Sequence, residues 1–239
     1  MVTKTKSAYV CNDCGADYRK WQGQCTECNA WNTLSEIRLS APARGGKVLR
    51  PGFAGAVDGA VKTLADIALD EIPRISTGTG ELDLVLGGGL VPGSCVLLGG
   101  EPGAGKSTVL LQTLCQLAEN HSSLYVTGEE SPQQIAMRAN RLGLPTDKLE
   151  IMAETSVETV CAIAEQKRPK VLVVDSIQVM HIEEVASAPG SVSQVRESAA
   201  MLVRFAKQTG TVLILVGHVT KDGSLAGPKV LEHMIDCSL

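Results

Sequence analysis

No uninterrupted apolar run in this 239-residue chain approaches the roughly 20 residues that a helix needs to cross a bilayer; "VLVV" and "VLILV" are typical of what it has. The N-terminus, "MVTKTKSAYVCN", also lacks the apolar stretch of a secretory signal. These two absences argue against a membrane or exported protein, and the chain is expected to be soluble and cytoplasmic. Net positive charge is missing as well. The formal charge is −4, which gives no overall signature for binding polyanions. The deficit is uneven: residues 1–50 carry eight Lys or Arg against four Asp or Glu, and the remainder carries 14 against 22. A mildly basic small module therefore precedes an acidic larger one, which hints at a polyanionic partner for the first and equally fits a solvated face.

Four of the eight cysteines fall within the first 28 residues, in two pairs. In a reducing compartment that clustering argues for a metal rather than for disulfides. Cys95, Cys115, Cys161 and Cys237 lie among apolar neighbours and read as small buried hydrophobes.

With 44% apolar residues the chain can bury a core. Residues 8–34 hold the cysteine pairs, and residues 35–62 include a Gly-, Ala- and Pro-rich stretch without sustained period, which reads as a linker. From 63 to 239, short β-branched runs alternate with helical patterns. Strands are predicted at 94–99, 123–128, 149–152, 170–176, 211–217 and 235–239, and helices near 105–119, 132–142, 156–167 and 192–208. This alternation predicts an α/β fold with a mostly parallel sheet and helices on both faces.

Residues 99–108, "GGEPGAGKST", fit G-x-x-x-x-G-K-[ST] directly after a predicted strand and before a predicted helix. Glycines let successive N–H groups turn inward around phosphate oxygens, and the helix N-terminus adds partial positive charge. The loop Gly100, Glu101, Pro102, Gly103, Ala104, Gly105 would cradle the phosphates, with Lys106 reaching the β and γ phosphates. Ser107 would sit on Mg²⁺, and Thr108 completes the segment. The run "KVLVVDS" ends a buried strand in an acid at the carboxyl edge of the sheet, where ligands bind, so Asp175 is a second Mg²⁺ partner.

Hydrolysis also needs a group that orients or deprotonates water. "SLYVTGEES" ends another strand with Glu129 and Glu130, which equally suit the start of the next helix. His218 follows "TVLILVG" at the same edge, ahead of the loop "VTKDGSLAGPK", placed to sense a γ phosphate.

Cys11-x-x-Cys14 and Cys25-x-x-Cys28 have the spacing of a closed four-thiolate Zn²⁺ site, with no open position for catalysis. Gly15 and Asn29 follow the two pairs, where a tight turn wants positive φ. A unit this small depends on its metal for stability. Tyr9, Tyr18, Trp21 and Trp31 suit base stacking, but are read first as the apolar cover of the metal, leaving Arg19, Lys20 and Arg38 for phosphate contact.

Taken together these blocks, with "RISTGTGELDLVLGGGLVPGS", "VLVVDSIQ", "SAPGSVSQVRE" and "GHVTKDGSLAGPKVLEHMID", resemble the RadA (Sms) family of bacterial recombination and DNA-repair ATPases over essentially the whole chain. The resemblance implies a zinc finger joined to a RecA-like P-loop core. It implies ATP, Mg²⁺ and Zn²⁺ as ligands, and single-stranded and branched DNA as partners. It further implies a hexameric ring, a recombinase-type protein partner, and ATP-driven branch migration in homologous recombination. Carried onto this sequence, Glu129 would be the hydrolytic acid, Asp175 the Mg²⁺ partner and His218 the phosphate sensor. Members of the family continue into a Lys-Asn-Arg-Phe-Gly motif and a Lon-like domain, so this sequence is expected to be a shortened form. A KaiC-like regulatory ATPase with protein partners is the alternative.

Overall fold

The computed structural model describes residues 6–11, 13–39, 63, 73–218 and 231–239. Among these no helix is long and apolar enough to cross a membrane. Residues 40–62, most of the expected linker, and the 219–229 loop lie outside the described residues.

The first unit is a small antiparallel sheet of β1 (Lys6–Cys11), β2 (Asp17–Tyr18) and β3 (Leu34–Leu39), in the order β2-β1-β3. β3 pairs with all six residues of β1, from Lys6↔Leu39 to Cys11↔Leu34, and so runs past residue 34, the expected end of the module, into the expected linker. Its core is minimal: Cys11, Cys25 and Leu34 are buried, with Tyr9, Cys14, Ala16 and Tyr18 packed against them. Tyr9 and Tyr18 thus help cover the cysteines as expected. The tryptophans do not: Trp21 and Trp31 are 57% and 68% exposed. The cysteines and tyrosines already fill this small interior.

The second unit opens with the short helix α1 (Gly80–Val85), absent from the sequence reading because six residues show no period. Asp83 ties it back to the preceding turn by accepting from Ser76 Oγ at 2.5 Å and the Thr77 N–H at 2.7 Å. The sheet and helices then alternate as β4 (Cys95–Gly100), α2 (Lys106–Ala118), β5 (Ser123–Thr127), α3 (Pro132–Arg141), β6 (Glu150–Ala153), α4 (Val157–Lys167), β7 (Val171–Asp175), α5 (Val192–Thr209), β8 (Val212–His218) and β9 (Cys237–Ser238). Strand order is β6-β5-β7-β8-β4-β9, with every pair parallel.

The central strands read as continuous apolar runs because both faces are covered, as parallel sheets require. Leu124, Val126, Leu172, Val174, Leu213 and Leu215 share one core with Val157, Val160 and Ala164 of α4 and Val195, Ala199 and Leu202 of α5. Their alternating neighbours Tyr125, Val171, Val173, Val212 and Ile214 share the other with Leu110, Leu111 and Leu114 of α2 and Ile135 and Ala139 of α3. Cys95 and Cys115 are buried as expected, whereas Cys161 and Cys237 are only half-buried.

The chain passes from β4 to β5 across the space that β7 and β8 later fill, so β4 and β7 end up two strands apart. Register levels the carboxyl ends: Gly100 pairs with His218 and Thr127 with Asp175. Four strands therefore deliver their terminal residues to one edge.

Candidate nucleotide site and metal cluster

β4 runs into the glycine loop, where Gly103 and Gly105 adopt φ of 84° and 90°. A Cβ at either would meet nothing within 4 Å, so the demand for glycine there is conformational rather than steric. α2 starts from Gly105 in the left-handed region with no side-chain cap. By contrast α3, α4 and α5 are each capped by a serine hydroxyl, from Ser131, Ser156 and Ser191. The first turn of α2 thus keeps its donors and positive end facing the loop. The helix itself is pinned by Leu110, Leu111, Leu114 and Leu117.

Within this loop Lys106 is buried, and its Nζ donates to the carbonyls of Gly100 and Glu101, both at 2.8 Å. Glu101, Pro102, Gly103 and Ala104 are exposed, while Gly105, Ser107 and Thr108 are half-buried. Two strands away Asp175 closes β7, buried, and its Oδ2 accepts from Tyr125 Oη at 2.5 Å. Burial pushes the Tyr125 phenol up, and the adjacent carboxylate adds to the effect, so this hydroxyl stays a donor. The peptide bond between Asp175 and Ser176 is cis.

Glu129 leaves the end of β5 and is held from two other elements. Ser176 Oγ donates to its Oε1, and His218 Nε2 lies 3.1 and 3.3 Å from its two oxygens. Gln178 Nε2 in turn donates to the His218 carbonyl at 3.3 Å. Glu130 instead pairs with Arg138 of α3, so the two adjacent acids have different partners. A hollow of about 280 Å³, lined by Thr127, Gly128, Glu129, Glu130, Ala153, Glu154 and Thr155, gives the Glu129 carboxylate access to solvent.

Tyr125, Ser176 and Gln178 were not singled out from the sequence. Ser176 and Gln178 stand one and three positions after Asp175 in "VVDSIQ", and a hydroxyl inside the apolar run "SLYV" has to find a buried partner.

Gly128 sets the approach of Glu129 to this edge. Its N–H donates to the Asp175 carbonyl at 2.9 Å, and a Cβ there would come 2.4 Å from Val179 Cγ2 and 3.1 Å from Thr155 Cγ2. Gly128→Ala is therefore expected to displace the turn 177–179, destabilise the fold by about 1–3 kcal/mol and lower Tm by several degrees. A thermal melt matching the wild type would show that the turn yields freely.

In the first unit the Sγ atoms of Cys11, Cys14, Cys25 and Cys28 all lie within 4.8 Å of one another. Cys11–Cys28 and Cys14–Cys25 are 3.6 and 3.4 Å apart, against the about 3.8 Å edge of a tetrahedron with metal–sulfur bonds near 2.3 Å. Gly15 and Asn29 take the expected left-handed conformation, with φ of 76° and 59°. The tight turns bond Gly15 N–H to the Cys11 carbonyl and Asn29 N–H to that of Cys25. Burial opposes a Cys25 thiolate, but bonds from Tyr18 Oη and the N–H groups of Cys28 and Glu27 outweigh it and draw the thiol to about 6. Cys11 is drawn down as well, while burial pushes Cys14 up to about 12; four sulfur donors so arranged fit a tetrahedral thiophilic ion with every position filled by protein.

The family described as an AAA domain matches residues 68–224, and a rubredoxin metal binding domain matches residues 9–36. Over its whole length the chain is 62% identical to the DNA repair protein RadA of Escherichia coli (strain K12). It is 60% identical to the protein of that name from Pseudomonas aeruginosa and 46% to that from Bacillus subtilis (strain 168), each again over 100% of this chain. In each case it covers 52% of the relative, so the chain spans about half the length of the curated relatives it matches.

Proposed function

This chain belongs to the RadA family of DNA repair proteins, and on that premise we propose that its larger unit hydrolyses ATP in response to DNA, in homologous recombination and repair. The observation that carries this reading is the meeting of Glu129 and His218, 89 residues apart in sequence, at the sheet edge that also ends in the glycine loop and Asp175. A purely structural nucleotide site has no need of a carboxylate clamped there with solvent access.

In this mechanism the loop N–H groups of 100–105, other than Pro102 which has none, and the Lys106 ammonium bind the β and γ phosphates, Lys106 exchanging the Gly100 and Glu101 carbonyls for phosphate oxygens. Ser107 and Asp175 would hold Mg²⁺, which neutralises charge on the phosphates when bound. Tyr125 fixes the Asp175 carboxylate through its hydroxyl. Glu129 accepts the proton of the attacking water, with acceptor sites left over beside those that Ser176 and His218 occupy. His218 senses the phosphate through the same contact.

The expected Zn²⁺ module of residues 8–34 would extend over 6–39 with β1 and β3, the rest of 35–62 would be a linker and 63–239 the ATPase core. Cytoplasmic location, ring assembly, branch migration and a recombinase-type partner belong to the same proposal. The DNA-repair names of the relatives favour it over a KaiC-like regulator.

Steady-state ATP turnover, measured with and without single-stranded DNA, tests the reading. The expected result is Mg²⁺-dependent turnover that rises with DNA. Turnover indifferent to DNA would remove the DNA half, and no nucleotide binding at all would remove the whole.

A further inference from the structure

The metal-binding unit carries a surface that the nucleotide site leaves unexplained. Trp21 and Trp31 stand 57% and 68% exposed, although indoles are normally among the more buried side chains. They are neighbours. Trp31 Cζ3 lies 3.6 Å and Trp21 Cη2 3.9 Å from the point a Cβ would occupy on Gly23. Glycine at that position places no side chain between the rings.

The backbone beneath them is fixed by the Gln24↔Trp31 bridge and by the Asn32 N–H bonded to the Gly23 carbonyl at 2.7 Å, one residue from the metal ligand Cys25. Arg19 and Lys20, both exposed, immediately precede Trp21. Two adjacent, solvent-facing indoles, preceded in the chain by an exposed guanidinium and an exposed ammonium, match the two faces of a single nucleic-acid strand, whose bases stack and whose phosphates seek cations. A duplex hides its base faces and offers no such match.

We infer that Trp21, Trp31, Arg19 and Lys20 form a stacking surface for single-stranded nucleic acid. The same unit also exposes Asp13 and Glu27, so it is not basic as a whole. Stacking rather than charge supplies most of the affinity, and binding falls less steeply with salt than for a contact made by phosphates alone. This deepens the proposed function and rests on its DNA partner.

The chain's two tryptophans are both in this surface, so its intrinsic indole fluorescence reports on nothing else. Titrating the full chain with a thymidine homopolymer is expected to quench that fluorescence. Trp21→Ala and Trp31→Ala, each keeping one reporter, are expected to weaken binding about ten-fold or more with zinc content unchanged.

Strand binding seen by anisotropy of a labelled oligonucleotide, without quenching and with wild-type affinity in both variants, would overturn the inference and turn the surface over to a protein partner. That outcome leaves DNA-stimulated turnover standing. A chain that binds no strand by either readout removes this inference and the DNA half of the proposed function together.

Discussion

Lys106→Ala is expected to weaken ATP binding by roughly 100-fold or more, as the loss of charge-assisted bonds worth about 1.5–3 kcal/mol each implies, and to bring turnover to background. The ammonium has two tasks at this position. In the structure it ties the Gly100 and Glu101 carbonyls together at 2.8 Å each, holding the loop in a tight curve around itself. With nucleotide bound it would carry the positive charge nearest the β and γ phosphates, where electrostatic stabilisation of the transferring group matters most. Alanine removes both the charge and the tie.

Calorimetric titration with ATP and Mg²⁺ checks the binding arm, and phosphate release checks turnover. The fold should persist, because α2 is anchored by leucines on its far face. Metal content should persist too, since the cysteine cluster shares no residue with this loop. Wild-type turnover in this variant would sink the nucleotide assignment.

Cys25→Ser is expected to have a comparably large but separate effect: loss of zinc and unfolding of the first unit alone. Among the described residues only Cys11, Cys25 and Leu34 are buried there, and so small a core cannot offset the chain entropy of about 30 residues. The metal must supply the difference, with binding free energies on the order of 10–16 kcal/mol for structural zinc in small domains. A serine hydroxyl in place of the buried Cys25 sulfur leaves three thiolates and an open position.

Metal analysis should show stoichiometric zinc in the wild type and little in the variant. Amide exchange should show protection lost in residues 6–39 while β4 to β8 keep theirs, and nucleotide binding should be unchanged. Full zinc occupancy in the variant would mean that the four sulfurs are not its ligand set.

The strands and helices of the larger unit were legible because each carries its own period. β7 is five buried residues ending in an acid, and α5 repeats its buried positions at helical spacing over 18 residues. The observed ends differ from the expected ones by a residue or two. α1 escaped notice because it is held by Asp83 bonding to Ser76 and Thr77, a contact between residues that no periodicity marks. The tryptophans were misassigned for a related reason. Their residue type suggests burial, but Tyr9 and Tyr18 already occupy the few places beside the cysteines.

By itself the sequence determined the glycine loop, the four-sulfur cluster and the alternation that yields a parallel sheet, since each depends on residues close together in the chain or on their local period. Only the tertiary structure decided which of two adjacent glutamates reaches the sheet edge. It also brought Ser176 and His218 to Glu129 and Tyr125 to Asp175, and left two indoles in solvent. Those outcomes depend on strand order and register, which bring together residues 47 to 89 positions apart. No short stretch of sequence encodes where a strand will sit beside another, because that is set by how all the apolar faces can be covered at once.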